Sequence, residues 1–351
     1  MRKSEKIRAA VIFGGCSSEY SVSLQSAAAV IRGLDRTRYE VVAVGISREG
    51  EWFYYTGETA RIADDTWREA DCAPAGIAPN RRVHGLWVLR DSGVETIYID
   101  VVLPVLHGRN GEDGTVQGAV ALSGIPLAGC GILASALCMD KDRAHRLVSL
   151  IGVRVPKSFV LNTVTNEEQA LDFARELGFP VFVKPVKAGS SYGISRVCSM
   201  DGLREALAQA AFYDDEVLIE EEIEGFEVGC AVLGTEELVT GEVDEIELAG
   251  GFFNFTEKYT LQTSAIHVPA RINEQKAAEI KELAKRIYRA LGCSGFARVD
   301  LFLTGDGELV FNEVNTIPGF TAHSRYPGMM KAAGIDFPQL LDRIIRQAVE
   351  A

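Results

Sequence analysis

An α/β chain with α+β lobes, divided into two or three domains, is what this sequence predicts, and three observations carry the reading. Near-continuous apolar runs that read as buried strands alternate with helical segments through the first third. Late in the chain, two apolar and β-branched runs flank Gly305-Asp306-Gly307 and read as a hairpin. The length, 351 residues, is enough for more than one core.

Composition narrows the function classes. Net charge is −13 and no basic tract occurs, which argues against a nucleic-acid partner. The early apolar run, residues 9–13, is too brief for a signal peptide or a span, so no membrane partner is expected. Seven cysteines are scattered without a CxxC pair, the pattern of reduced thiols in a cytoplasmic protein rather than of a disulfide frame or a zinc site. Cys230 and Cys293 sit in apolar surroundings and read as small core residues.

Taken in order, residues 7–13 form a buried strand that Gly14-Gly15 ends, and a helix follows over about 24–34. No GxGxxG occurs, so a dinucleotide site is not supported. Glu19 in the turn would repel a phosphate but hold a substrate ammonium group. Tyr39 to Ile46 and Val101 to Leu106 are further strands, whereas residues 52–83 show no pattern. The strand 101–106 runs into His107-Gly108-Arg109-Asn110-Gly111-Glu112-Asp113-Gly114, at the edge where open α/β sheets bind ligands. A boundary follows Pro126-Leu127-Ala128-Gly129.

Residues 137–145 read as a helix with Lys141 near its start. Residues 181–185 are a strand carrying Lys184, followed by the Gly/Ser-rich segment 186–194. That segment lacks the Walker order, but its backbone N–H groups and the hydroxyls of Ser190 and Ser191 can close over phosphates while the lysine supplies charge. A plain exposed hairpin is the alternative. The strand from Glu216 ends in an acidic linker at Glu220-Glu221-Glu222-Ile223, where main-chain groups suit an adenine and Glu227 a ribose. Residues 245–268 read as a loop with aromatics and Lys258, the composition of a lid. An amphipathic helix follows at 277–291, and a further helix at 337–348.

The late hairpin carries the chemistry. Period-two alternation puts Arg298 and Asp300 on one face of the first strand, and Glu313 and Asn315 on one face of the second. Two carboxylates and an amide oxygen suit a hard cation such as Mg²⁺, and a guanidinium beside it suits negative charge as it develops.

These parts, in this order, resemble the D-alanine–D-alanine ligase family of the ATP-grasp superfamily over essentially the whole length. The markers are residues 14–23 around Glu19, His107-Gly108 with residues 111–114, Met139-Asp140-Lys141, Lys184-Pro185 with Gly189-Ser190-Ser191, Arg298-Val299-Asp300, and residues 312–319. The family commonly has histidine where Tyr20 stands. The resemblance implies a three-domain ATP-grasp fold. Its parts are an N-terminal Rossmann-like open parallel sheet (1–128), a central domain (129–220) and a C-terminal domain with the metal site and lid loop (221–351).

In that family ATP phosphorylates a first D-alanine, and the amine of a second D-amino acid attacks the acyl phosphate. The resemblance gives Glu19 the first ammonium. Lys141, Lys184, Ser190 and Ser191 receive the ATP phosphates, Ser190 counting also with the catalytic set. Glu220, Glu221 and Ile223 receive the adenine and Glu227 the ribose. Asp300, Glu313 and Asn315 receive two Mg²⁺, with Mn²⁺ as a substitute. Arg298 and the N–H of Gly319 receive the oxyanion, and Ser324 the second carboxylate. Lys258 and Tyr259 belong to the lid. A homodimer is expected.

Ser324-Arg325-Tyr326-Pro327 looks like the glycopeptide-resistance branch, and Glu257-Lys258-Tyr259 is similar to peptide-forming members. His267 falls in the strand after the lid. Together these favour D-serine as second substrate, with D-alanine as the alternative, and Arg325 is placed either at the serine hydroxyl or facing acidic neighbours. Other readings are another ATP-grasp carboxylate–amine ligase, a nucleotide-responsive binding protein, and a nicotinamide-dependent oxidoreductase, which lacks its fingerprint.

Overall fold

The structure is a computed structural model that describes residues 6–162, 167–189, 192–248, 264–321 and 324–350. Its first sheet comprises β1 (Ile7–Gly14), β2 (Tyr39–Ile46), β3 (Trp52–Tyr55), β4 (Cys72–Ile77), β5 (Gly85–Arg90), β6 (Gly93–Tyr98) and β7 (Val101–Leu106), ordered β6-β5-β4-β3-β2-β1-β7. β1 is parallel to β2 and to β7, and these apolar strands are largely covered, as parallel strands are. From β2 to β6 every neighbour is antiparallel.

The wholly parallel, Rossmann-like sheet expected from the sequence is therefore corrected to a mixed one. A parallel step needs a crossover of a dozen or more residues, usually helical. Between β3 and β4 the chain offers only the five-residue α2 (Thr59–Ala63) and a single 3₁₀ turn, so it reverses instead. Residues 52–83, patternless in the sequence, thus hold two strands of the sheet.

α1 (Tyr20–Gly33) begins directly after Glu19 rather than near Leu24. Gly14 makes that entry possible. Its φ is +89°, a Cβ there would stand 2.1 Å from the Ile46 carbonyl oxygen, and its N–H donates to Ser23 Oγ at 2.8 Å. After α3 (Thr115–Ser123), the helix expected over 137–145 is two helices, α4 (Ile132–Met139) and α5 (Lys141–Leu150). Asp140 separates them with ψ of 99° and caps α5 by accepting from the Arg143 N–H at 2.9 Å. Lys141 thereby stands at the first position of a helix.

The second sheet takes β8 (Ser158–Asn162), β9 (Val181–Pro185), β10 (Ser195–Val197) and β11 (Glu216–Glu221), ordered β10-β9-β11-β8, with α6 (Glu167–Leu177) and α7 (Met200–Ala211) sharing its core. The third has β12 (Gly225–Leu233), β13 (Val239–Thr240), β14 (Asp244–Leu248), β15 (Ser264–His267), β16 (Phe296–Thr304) and β17 (Leu309–Asn315). Its order is β15-β14-β12-β16-β17, with β13 beside β12 and α8 (Glu274–Ala290) on its core face. The loop reading of 245–268 is corrected at both ends, because β14 and β15 pair antiparallel with Glu245 opposite His267; residues 249–263 lie outside the described residues. His267 is in a strand, as expected.

α9 (Arg325–Ala332) and α10 (Phe337–Glu350) return to the first sheet. Tyr326, Met329, Met330, Leu340, Leu341, Ile344 and Ile345 share one core with Val11, Phe13, Leu24 and Val105. Tyr39 Oη donates to Asp342 at 2.6 Å. Residues 316–321, which follow β17, are consequently held between the first and third sheets.

Candidate active site

β16 and β17 are antiparallel, with Asp300 opposite Glu313 and Arg298 opposite Asn315. Strict alternation from Leu309 and Phe311, both in the core, would send Glu313 into that core. A bulge at Asn312 prevents this: Leu301 pairs with Phe311 and Asp300 with Glu313, leaving Asn312 as the extra residue. Beyond it Val314 faces the core, while Glu313 and Asn315 share a face with Arg298 and Asp300. The convergence read from the sequence is present, and the bulge produces it.

Asp300 is fully buried. Its carboxylate accepts from Arg298 Nε at 2.8 Å, Arg298 Nη2 at 2.7 Å and Asn315 Nδ2 at 2.8 Å. Asn315 Nδ2 also lies 3.4 Å from Glu313 Oε1. Among the described residues no group of three or more His, Cys, Asp or Glu is arranged for a metal ion. The donor set here is instead two carboxylates and an amide. Turning that amide about its last torsion exchanges nitrogen for oxygen and completes an all-oxygen set, which fits a hard divalent cation.

Arg325 deepens the cluster. Its guanidinium donates to Asp244 through Nε (2.7 Å) and Nη2 (2.8 Å) and to Glu227 through Nη1 (2.6 Å), and Nη2 lies 3.3 Å from Asp300. Of the two placements left open for this residue, the structure shows the one facing acidic neighbours. Glu227, expected at a ribose, is a partner of Arg325.

On the second sheet Lys184 pairs with Glu220, both buried. The other oxygen of Glu220, Oε2, is buried and has no hydrogen-bond partner among the described residues. Such an acceptor asks for a donor, and the exocyclic amino group of an adenine is one, so the wall fits a nucleotide. Lys141 Nζ donates to the Ala188 carbonyl at 2.7 Å, which brings it to the Gly/Ser segment. Glu221 Oε1 accepts from the Lys157 N–H at 2.9 Å, and Ile223 lies in the link between β11 and β12. Ser190, Ser191, Lys258 and Tyr259 lie outside the described residues.

Glu19 is buried between two loops: a Cβ on Gly108 would stand 2.6 Å from its Oε2, and one on Gly189 2.7 Å. The carboxylate expected to hold the first ammonium therefore meets both the loop after β7 and the segment that Lys141 reaches. A Cβ on Gly319 would stand 2.8 Å from Ser324 Oγ, which accepts from the Thr321 N–H at 2.9 Å.

Three residues that carried no role in the sequence position this last loop. His107 Nδ1 donates to the Ile317 carbonyl at 2.9 Å, and Glu112 Oε1 accepts from the Ile317 N–H at 3.4 Å. Ser26 Oγ accepts from the Phe320 N–H at 3.3 Å and lies 3.3 Å from His107 Nε2. With Nδ1 committed as donor, Nε2 takes the Ser26 hydroxyl proton, and burial holds the imidazole neutral by lowering its pKa. The signal available in the sequence was a histidine and a glutamate in a loop just past a wholly apolar strand.

Glu112 is pushed up to about 8, by burial first and then by the charge of Glu19, with Glu313 adding to it. A raised carboxyl favours the folded state below its ordinary value of 4.5, and that contribution is lost as pH rises through about 8. A cation beside Glu19 reduces the repulsion and lowers this pKa. Binding at Glu19 of the D-alanine ammonium that the sequence reading places there is therefore expected to release protons at pH 7. Calorimetric titration with D-alanine in buffers of different ionisation enthalpy measures this; equal release by the protein and Glu112→Gln would contradict it.

Comparison with known proteins places the whole chain in one family. Residues 8–130 match the family described as D-ala D-ala ligase N-terminus, and residues 147–346 the one described as D-ala D-ala ligase C-terminus. The chain is 44% identical to a putative D-alanine–D-lactate ligase of Streptomyces coelicolor, over 98% of each chain. It is 43% identical to a D-alanine–D-alanine ligase of Caldicellulosiruptor bescii, over 98% of this chain and 96% of that one. Among solved structures it is similar to the VanG D-Ala:D-Ser ligase from Enterococcus faecalis, with a TM-score of 0.91 and 52% identity over 98% of this chain and 99% of that one. The ATP-grasp architecture is thus shared. No described helix is long and apolar enough to cross a membrane.

Proposed function

The chain belongs to the D-alanine–D-alanine ligase family, and from that premise we propose that it joins D-alanine to D-serine. At the coarser level it is an ATP-dependent D-alanine–D-X ligase, and the family implies ATP and a divalent metal. The D-serine reading is supported by the 52% identity to the D-Ala:D-Ser enzyme and by Ser324-Arg325-Tyr326-Pro327. The ligase reading is carried by one observation, the register that sets Asp300 against Glu313 and Arg298 against Asn315.

The residues take these roles. Glu19 holds the ammonium of the first D-alanine. The carboxylate oxygen of that D-alanine attacks the terminal phosphorus of ATP, and ADP leaves. The amine of the second substrate attacks the carbonyl carbon of the acyl phosphate; the C–O bond to phosphate then breaks and the amine loses its proton. Arg298 and the N–H of Gly319 hold the oxyanion between those two events. Lys141 and Lys184 receive the ATP phosphates with Ser190, Ser191 and Lys258, while Glu220, Glu221, Ile223 and Glu227 line the nucleoside end. Ser324 takes the second carboxylate, with Tyr259 from the lid loop. Two Mg²⁺ held by Asp300, Glu313 and Asn315 would neutralise phosphate charge. The close approach of Gly189 to Glu19 keeps water from an intermediate that water destroys.

Arg325 serves the second substrate indirectly here, by fixing the start of α9 and Ser324 beside it. We place the enzyme in the cytoplasm as a homodimer that supplies a peptidoglycan precursor of the glycopeptide-resistance type. Product identification with ATP, Mg²⁺ and D-alanine plus D-serine, D-alanine or D-lactate tests the assignment. D-Ala–D-Ser is expected to form with about tenfold higher kcat/KM than D-Ala–D-Ala, a difference of about 1.4 kcal/mol. Preference for D-alanine, or depsipeptide as the main product, would contradict it.

A further inference from the structure

We propose that Tyr20 is a positioning residue for the first substrate, bracing the start of α1 from behind and so setting where the Glu19 carboxylate points. The inference rests on the reading of Glu19 as the group that holds the ammonium of D-alanine. Glu19 and Tyr20 are consecutive at the helix entry, and their side chains meet different surroundings. Glu19 is buried against Gly108 and Gly189. Tyr20, 2% exposed, reaches into the connections that follow β2.

Both the ring and the tip of Tyr20 are held. Its hydroxyl accepts from Trp67 Nε1 at 3.0 Å and donates to Asp65 Oδ1 at 3.0 Å. Arg48 lies 4.0 Å over the ring and 3.4 Å from Asp65 Oδ2, so the guanidinium covers the face and pairs with the acid at the tip. On its other side the ring edge meets Gly14, where a Cβ would stand 3.1 Å away. Trp67 is itself fixed, fully buried and edge-on to Phe13 and Tyr55.

Asp65 and Trp67 come from the stretch 52–83 in which the sequence showed no pattern, and Arg48 from the turn just before it. Tyr20 is also a departure from the resembled family, which commonly has histidine here. An imidazole is shorter than a phenol and cannot make both tip bonds from the same backbone position. This chain has in their place a tyrosine, an aspartate, a tryptophan and an arginine that act together. Among the described residues, none of these contacts of the set reaches Lys141, Lys184 or Glu220, so its effect is expected at the first substrate.

Steady-state kinetics of Tyr20→Phe, which removes only the hydroxyl, tests the brace. KM for the first D-alanine is expected to rise about tenfold, because small misplacements of a binding group are costly. Its kcat and the KM for ATP and for the second substrate are expected to change less than about twofold. Asp65→Gly, compatible with the φ of +54° at that position, should give the same split. An unchanged D-alanine KM in both variants, or an equal change in every constant, would overturn the proposal. Glu19→Gln separates the two levels. If it leaves the D-alanine KM unchanged, the reading of Glu19 fails; if it raises that KM while Tyr20→Phe does not, only the brace fails.

Discussion

Glu313→Gln is expected to lower ligation about a thousandfold, the scale on which preorganised charge acts in a transition state. Glu313 lies opposite fully buried Asp300, and the bulge at Asn312 keeps it on the reacting face. Glutamine preserves its shape and removes its charge, so metal affinity and phosphate neutralisation fall together. Glu313 is only partly covered, so the neutral amide is not stranded and thermal unfolding should shift little. Turnover measured with all substrates saturating decides the matter, and wild-type turnover in the variant would contradict the metal assignment.

Arg325→Met is expected to have the largest effect on stability, a loss of about 3–5 kcal/mol. The guanidinium serves Asp244 in two-pronged fashion and Glu227 at its other end, and Asp244 is fully buried. Truncation leaves a buried carboxylate without its counter-charge, the costly way to break such a pair. A second replacement, Asp244→Asn in the Arg325→Met background, should recover much of the loss, because the uncompensated charge is then gone. Urea unfolding of the four members of that cycle measures both statements. A loss below about 1 kcal/mol, in the range of exposed pairs, would show that Arg325 does not organise this cluster.

How far the sequence could be read follows from the range of the interactions involved. The β16–β17 hairpin was legible because alternation and a Gly-Asp-Gly turn are local signals, confined to residues 296–315. The bulge at Asn312 was not, since it appears only when partner strands are set side by side. Glu19 was legible as a carboxylate at a helix start. His107, Glu112 and Ser26 were not assigned, because their partner is a loop 205 to 294 residues later. The partners of Arg325 were likewise hidden: Asp244 stood in a stretch that read as loop, yet it opens β14.

The first sheet shows the converse. Three parallel strands were visible as apolar runs, while β3 to β6 are short and partly exposed, so neither continuous hydrophobicity nor clean alternation marked them. That is why a Rossmann-like sheet was expected and a mixed one is found. Those same strands and their connections carry Asp65 and Trp67, the braces of Tyr20. Family resemblance supplied the roles, and the geometry supplies what holds each residue in place.

Paramagnetic resonance of bound Mn²⁺, titrated into the protein with a non-hydrolysable ATP analogue, tests the metal hairpin most directly. Two ions bound per chain are predicted, close enough for their spins to couple, with the coupled signal lost in Glu313→Gln. An identical spectrum and stoichiometry in the two proteins would place the metals elsewhere and contradict the central claim.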